Sequence, residues 1–131
     1  MSEKLMGVPT EKAITKRVRD YLKAQGVVFY KQHGSAFSQA GTPDFLCLYK
    51  GVFLGIEVKR PHPASRLRPE QDRELSRITA QGGVAIVARG HRVVARVLNR
   101  IDSLEGFESD GEGDTVWQAL GEITSKRHEG V

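Results

Sequence analysis

The sequence contains only one cysteine, Cys47, among its 131 residues. A single thiol excludes a disulfide within the chain and a cysteine-based metal centre. The sequence also has no apolar run of about eighteen residues, the length that a membrane-spanning helix needs, and its first residues lack the apolar stretch of a secretory signal. These absences favour a soluble, cytoplasmic protein in which the lone thiol behaves as a small hydrophobe.

Charge is unevenly distributed along the chain. Residues 1–101 contain 18 Lys and Arg against 8 Asp and Glu, a net charge of +10, whereas residues 102–131 carry a net charge of −6. A basic body favours a polyanionic partner such as nucleic acid, because each neutralised phosphate releases counterions. A protein-interaction module with an acidic partner would show the same charge, so charge alone leaves both classes open.

Hydrophobic periodicity and turn residues predict one α/β domain over residues 1–102. The predicted elements are a helix from Thr10 to Gly26, a strand over 27–32, two strands over 45–49 and 52–59 joined at Lys50-Gly51, a helix from Pro69 to about Gln81, and a strand over 84–88. Residues 93–101 fit the apolar stripe of a helix but are rich in β-branched side chains, and we favour a helix. This order predicts a mixed sheet with helices on its faces.

Residues 103–131 are predicted to be a separate acidic segment. Gly, Ser, Glu and Asp dominate residues 103–114, a composition typical of a flexible linker. A short helix is predicted around residues 116–123. Its apolar residues Trp117, Leu120 and Ile123 are candidates for packing against a partner subunit.

Three charged residues, Asp44, Glu57 and Lys59, are predicted to meet at one end of the sheet. A hairpin with its turn near residue 50 folds residue 44 back towards residue 57. Side chains alternate along a strand, so Glu57 and Lys59 share the face opposite to the core. Two carboxylates and an ammonium group in one place predict a cation site.

Such a site suits the hydrolysis of a phosphodiester bond. That reaction needs charge relief on the phosphoryl oxygens and an activated water, which Mg²⁺ or Mn²⁺ bound by oxygen ligands can supply. Asp44 and Glu57, with the Val58 carbonyl as a third ligand, are of the kind that Mg²⁺ prefers. Lys59 can orient the attacking hydroxide or offset the negative charge of the transition state.

The short motifs resemble a known nuclease signature. The residues PD at 43–44 and EVK at 57–59 resemble the PD-(D/E)XK signature. The combination of an early helical glutamate at 11, GTPDF at 41–45, IEVKRP at 56–61 and PEQ at 69–71 is similar to the virus-type replication-repair nuclease (VRR-NUC) domain over about residues 8–100. The resemblance implies a restriction-endonuclease-like core, in the order αβββαβ, and an Mg²⁺- or Mn²⁺-dependent endonuclease that acts on DNA.

The resemblance also implies partners and site residues. A stand-alone member of this length is implied to be a homodimer that acts on branched or junction DNA in phage replication, recombination or repair, within the host cytoplasm. By position, Asp44 and Glu57 are the implied metal ligands, Lys59 the catalytic lysine, Glu11 an outer carboxylate and Gln71 a supporting polar residue. Basic residues that flank the motifs are candidates for binding phosphates, and they are Lys31, Arg60, Arg66, Arg68 and Arg73.

Each candidate site residue also has a plainer interpretation. Asp44 suits a turn, and Glu57 with Lys59 suits an exposed strand face of alternating charge. Glu11 is a favourable acid at a helix N-terminus, and Gln71 is expected to be solvated in the first turn of its helix. The rival function is a non-catalytic nucleic-acid-binding subunit with a nuclease-like fold. The presence of all three central charged residues argues against it.

Overall fold

The computed structural model describes residues 7–33, 39–61, 63 and 65–103. Its elements, in chain order, are α1 (Glu11–Ala24), β1 (Val28–Lys31), β2 (Phe45–Tyr49), β3 (Val52–Val58), α2 (Pro69–Ala80), β4 (Val84–Ala88) and α3 (Arg92–Asp102). The predicted order of elements is confirmed, with every boundary within two residues of its expected position. The linker and short helix predicted beyond residue 103, including Trp117, lie outside the described residues. None of the described helices has the length and apolar character needed to cross a bilayer.

The ambiguous segment after β4 is a helix. In α3, Val94, Leu98 and Ile101 recur at four- and three-residue spacing and are all buried. The three residues form one stripe on the helix surface, and that stripe packs into the core. Burial of the stripe therefore outweighs the preference of β-branched side chains for a strand.

The four strands form one sheet in the order β1-β2-β3-β4. β1 pairs with β2 and β2 with β3 in antiparallel fashion, whereas β3 and β4 are parallel and are joined through α2. Lys50 and Gly51 form the β2–β3 turn with φ angles of 48° and 82°, the left-handed backbone that a tight two-residue hairpin turn requires. The turn fixes the register, so Phe45 lies opposite Ile56.

One face of the sheet is covered by α1 and α3. The alternating residues of β2, β3 and β4 that point to this face are buried with the apolar stripes of the two helices. The largest fully buried side chains among them are Phe45, Ile14, Leu22, Leu54, Ile56 and Leu98. Cys47 is also buried in this core, where desolvation raises the pKa of its thiol to about 12. The thiol therefore packs as a small hydrophobe, as the sequence predicts.

The opposite face of the sheet is only partly covered. α2 packs over β3 at Gly55, where a Cβ atom would lie 2.6 Å from Ile78 Cδ1. At the N-terminus of α2, Gly41 has a φ of 85°, and a Cβ there would lie 2.2 Å from the Glu70 carbonyl oxygen. A side chain at Gly41 would collide with the backbone of Glu70, whereas one at Gly55 would force the end of the Ile78 side chain to move. Both close contacts lie where α2 and the loop before β2 meet the end of the sheet that carries Glu57.

Candidate active site

Asp44 lies at the start of β2 and is held in place by backbone contacts. Its Oδ2 accepts a hydrogen bond of 2.7 Å from the Val58 N–H, and its carbonyl oxygen accepts one of 2.7 Å from the Gln32 N–H. Continuing the hairpin register by one step places Asp44 opposite Glu57. The convergence predicted from the strand alternation is therefore present. A turn residue explains the position of Asp44 less well, because its side chain reaches across to the neighbouring strand.

Glu57 is a buried carboxylate with an unmet hydrogen-bonding need. Its residue is 3% exposed, and its Oε1 accepts a hydrogen bond of 3.2 Å from Gln71 Nε2. Its Oε2 is buried without a hydrogen-bond partner. Burial, followed by the charge of Asp44 and hydrogen bonding with it, raises the pKa of Glu57 to about 8, while the charge of Lys59 opposes that rise. The interpretation of Glu57 and Lys59 as an exposed charged strand face is wrong, because both residues are buried.

Gln71 connects the site to α2. It is buried in the first turn of the helix, so the expectation of a solvated residue is wrong. Its Oε1 accepts a hydrogen bond of 2.9 Å from the Arg68 N–H at the helix N-terminus. That bond directs the amide nitrogen of Gln71 towards Glu57, since the nitrogen can only donate. The side chain thus serves as helix cap and as carboxylate partner at once.

Lys59 and Glu11 flank the two carboxylates. Lys59 follows the last residue of β3, and its N–H donates to the Ala88 carbonyl oxygen at 3.0 Å, which continues the pairing with β4. Glu11 is the first residue of α1 and is exposed. Its charge also raises the pKa of Glu57, but it is the last and weakest of the causes. Glu11 therefore lies at the rim of the site, near enough to act through its charge.

The donor set fits a divalent cation that keeps water ligands. Within the described ranges, no three His, Cys, Asp or Glu side chains gather into a cluster that could hold a metal by themselves. Asp44 and Glu57 are the two carboxylates available, and Mg²⁺ is commonly bound by one or two carboxylates with several waters. A cation would also meet the need of the unpartnered Glu57 Oε2. The residues present therefore suit a hard divalent ion.

A comparison with solved structures agrees with this geometry. A solved chain described as a VRR_NUC domain matches this chain with 27% sequence identity and a TM-score of 0.56, covering 68% of this chain and 94% of that one. The chain is therefore similar to a VRR-NUC domain in fold and sequence. Neither the protein-family models nor the curated proteins gave a match. The mixed sheet with flanking helices is consistent with a PD-(D/E)XK-like core, so the domain is nuclease-like in general architecture.

Among the basic residues proposed to bind phosphates, only Lys31 contacts a site carboxylate. Its Nζ lies 3.8 Å from Asp44 Oδ1 and donates to the Gln32 carbonyl oxygen at 2.7 Å. Arg60 points elsewhere, because its guanidinium donates to the carbonyl oxygens of Pro9 and Val8 at 3.2 and 3.4 Å. Arg60 therefore holds the segment before α1 against the loop after β3.

The remaining candidate arginines lie on the surface. Arg66 donates to the Pro63 carbonyl oxygen at 3.2 Å, and Arg68 lies 3.5 Å from Glu70 in an exposed ion pair. Arg73 is exposed on α2. Arg89, which the sequence did not single out, donates to the carbonyl oxygens of Arg60 and Ser65 and so closes the loop after β3. No local sequence pattern indicates this role of Arg89. Its hydrogen bonds to the loop after β3 depend on the parallel pairing of β3 and β4.

Proposed function

We propose that this VRR-NUC domain is a divalent-metal-dependent endonuclease that hydrolyses phosphodiester bonds of DNA at Asp44, Glu57 and Lys59. The observation that supports it most is the buried Glu57 carboxylate, which has one unpartnered oxygen and lies beside a second carboxylate. Such a pair is unfavourable without a cation, since two neighbouring negative charges in a desolvated place repel each other. A site that served packing alone would not be expected to bury two neighbouring carboxylates.

Asp44 and Glu57 would hold the cation, with the Val58 carbonyl as the proposed third protein ligand. When bound, Mg²⁺ or Mn²⁺ offsets charge on the phosphoryl oxygens and lowers the pKa of water. The chain's own contacts prepare the two carboxylates for this. The Val58 N–H holds Oδ2 of Asp44, and the Gln71 amide holds Oε1 of Glu57. Glu57 Oε2 is left without a hydrogen-bond partner, and Asp44 Oδ1 has the Lys31 ammonium group at 3.8 Å.

Lys59 is proposed to act as the catalytic lysine. Its charge lowers the pKa of Glu57, and the residue as a whole is buried, so the two groups interact in a place with little water. A positive charge fixed there stabilises the extra negative charge that develops on a phosphoryl group during hydrolysis. Glu11 is proposed to contribute from the rim as an outer carboxylate, and Gln71 to position Glu57.

The proposal includes three finer points that follow from the family resemblance. The substrate is branched or junction DNA, the active form is a homodimer, and the role is in phage replication, recombination or repair. A two-fold dimer would place two identical centres in fixed relation, which suits paired cuts in a branched substrate. Residues 1–102 would form the nuclease domain and residues 103–131 an acidic tail with a contact to the partner subunit.

A panel of labelled DNA substrates tests the function. Single-stranded, nicked, flapped and four-way-junction DNA would be incubated with the purified chain in Mg²⁺, Mn²⁺, Ca²⁺ or EDTA. We expect cleavage in Mg²⁺ or Mn²⁺, strongest on branched forms, and none in Ca²⁺ or EDTA, because Ca²⁺ has looser coordination geometry. Robust cleavage in EDTA would refute the metal dependence. Binding without cleavage in every condition would favour the non-catalytic subunit instead.

A further inference from the structure

A groove beside the candidate active site carries a set of cations that the proposed chemistry does not use. The groove lies between α1 and the end of β1 and has a volume of about 450 Å³. All of its charged lining residues are basic, namely Lys12, Lys16 and Arg19 of α1 and Lys31 of β1. A concave surface lined by charges of one sign concentrates ions of the opposite sign.

The groove is continuous with the proposed catalytic centre. Lys31, which lines the groove, has its Nζ 3.8 Å from Asp44 Oδ1. Glu11 precedes Lys12 at the start of α1 and interacts electrostatically with Glu57. The groove therefore adjoins the site at Lys31, and a ligand bound in the groove would have one end near Asp44.

The cations of α1 have the spacing of an extended ligand. Lys12, Lys16 and Arg19 are separated by four and three residues, so they lie on one face of the helix. They span about 10 Å along the helix axis at 1.5 Å per residue. Successive nucleotides in one strand of a duplex are about 3.4 Å apart along the axis, so the row is long enough to contact more than one phosphate of a strand.

These cations are available to a ligand. Lys16 Nζ forms an ion pair with Asp20 Oδ2 at 2.8 Å, and both side chains are largely exposed. An exposed pair of this kind contributes little to the stability of a protein, so the ammonium group can exchange a carboxylate for a phosphate at little cost. Asp20 itself is not among the lining residues of the groove.

We propose that the groove binds the sugar-phosphate backbone of the substrate strand next to the bond that is cleaved, through more than one phosphate. This inference rests on the proposed function and extends it, because it gives the substrate a path away from Asp44 along α1. Lysine and arginine contacts to phosphates fix the position of a strand without reading its bases. The groove would therefore hold DNA of any sequence.

The test compares two triple variants with equal changes in charge. One is Lys12→Ala/Lys16→Ala/Arg19→Ala in α1. The matched control is Arg92→Ala/Arg96→Ala/Arg100→Ala, which removes three exposed cations from α3. Fluorescence anisotropy would measure the affinity of each for labelled single-stranded and duplex DNA in EDTA across a range of salt concentrations. Thermal melts would confirm folding, and gels would confirm that the DNA stays intact.

We expect the α1 variant to bind about tenfold more weakly or worse. The slope of log K against log salt should become shallower by about 0.7 to 0.9 for each phosphate that the variant no longer neutralises. The α3 variant should bind as the wild type does. A third variant, Lys12→Arg/Lys16→Arg/Arg19→Lys, keeps all three charges and should retain the affinity.

Equal decreases in the affinity of the two alanine variants would show that net charge alone governs binding, and would overturn the proposal. Unchanged affinity of the α1 variant would also overturn it.

Failure of the proposed function is distinguishable from failure of this inference. The first would appear as absent cleavage by the wild-type chain in Mg²⁺ and Mn²⁺. The second depends only on the binding of DNA in EDTA, where no cleavage is required. If the two alanine triple variants cleave DNA equally well and bind it with equal affinity, the proposed nuclease function stands and the proposed role of the groove is refuted.

Discussion

The two ends of the sheet face under α2 differ in which side chains are buried. Polar side chains are buried at one end, and large apolar side chains are exposed at the other. At one end, the polar residues Glu57 of β3 and Gln71 of α2 are buried between the sheet and the helix. At the other end the exposed large hydrophobic residues lie beside one another on β1, β2 and β3, namely Val28, Tyr30, Leu48 and Phe53. A face selected only for stability would bury the second set and expose the first. This inversion is what the proposed active site at the Glu57 end predicts, and substitutions at the two ends can test that difference.

Removal of a carboxylate at the polar end should have the largest effect. We expect Asp44→Asn and Glu57→Gln to reduce DNA cleavage at least about 100-fold, because each removes a proposed metal ligand. Both variants should fold. Asp72→Asn, which neutralises an exposed acid on α2, is the matched control and should cleave normally. Single-turnover cleavage in Mg²⁺ measures the effect, and wild-type rates in Glu57→Gln would refute the assignment of that residue.

The stability of the metal-free chain should depend on pH through Glu57. Its folded pKa of about 8 lies above the ordinary value of 4.5, so the folded state holds this proton more tightly than the unfolded state. The resulting stabilisation is fully present below about pH 4.5 and is lost as the pH rises to about 8, a change of a few kcal/mol at most. Melting curves in EDTA would measure it against Glu57→Gln.

The Gln variant provides the control for that pH dependence, because it cannot ionise at this position. We expect the melting temperature of the wild type to fall relative to Glu57→Gln as the pH rises between 4.5 and 8. Added Mg²⁺ or Mn²⁺ should reduce the difference, since a bound cation favours the ionised carboxylate. Parallel curves for the two proteins would show that Glu57 ionises normally.

Gln71 should have an intermediate effect. Gln71→Ala removes the hydrogen bond to Glu57 Oε1 and the cap on the Arg68 N–H, and partners of metal ligands commonly contribute about 10- to 100-fold to metal affinity or activity. We expect weaker apparent affinity for Mn²⁺ as well as slower cleavage. Thr79→Ala, also on α2 but bonded only to backbone carbonyl oxygens of its own helix, separates that effect from a change in helix stability.

The apolar end should have the smallest effect. Leu48→Ser and Phe53→Ser replace side chains that are already half exposed, and such surface changes usually alter stability by no more than about 0.5 kcal/mol. Cleavage should remain at the wild-type rate. Chemical denaturation and the cleavage assay check both statements. A destabilisation of several kcal/mol would mean that this end is covered in solution and that the contrast between the two ends is false.

The site was predictable from the sequence where it depends on local rules. The turn at Lys50-Gly51 and the alternation of a strand are sufficient to bring Asp44 opposite Glu57. The burial of Glu57 and Gln71 was not predictable in that way. It requires α2 to pack over β3, which depends on the absence of side chains at Gly41 and Gly55, far apart in sequence from the helix residues that they contact.

The fold likewise has features that follow from local sequence and features that depend on packing. Residues 93–101 were ambiguous because β-branched side chains favour a strand, whereas their spacing favours a helix. Packing of Val94, Leu98 and Ile101 into the core decides the outcome.

The basic groove was not predicted for a related reason. The spacing of Lys12, Lys16 and Arg19 is visible in the sequence, but its orientation towards Lys31 depends on how α1 packs against the sheet.

The hairpin that pairs Asp44 with Glu57 limits how its own length can change. The two residues are 13 positions apart and lie opposite each other, so an insertion in one strand alone would break the pairing or add a bulge. One added residue in each strand would keep the pair but would turn the side chains near the turn from one face to the other. Only two added residues in each strand, about 6.6 Å of strand, preserve both the pair and the core. Among relatives, the interval between these two acids should therefore vary in steps of about four residues.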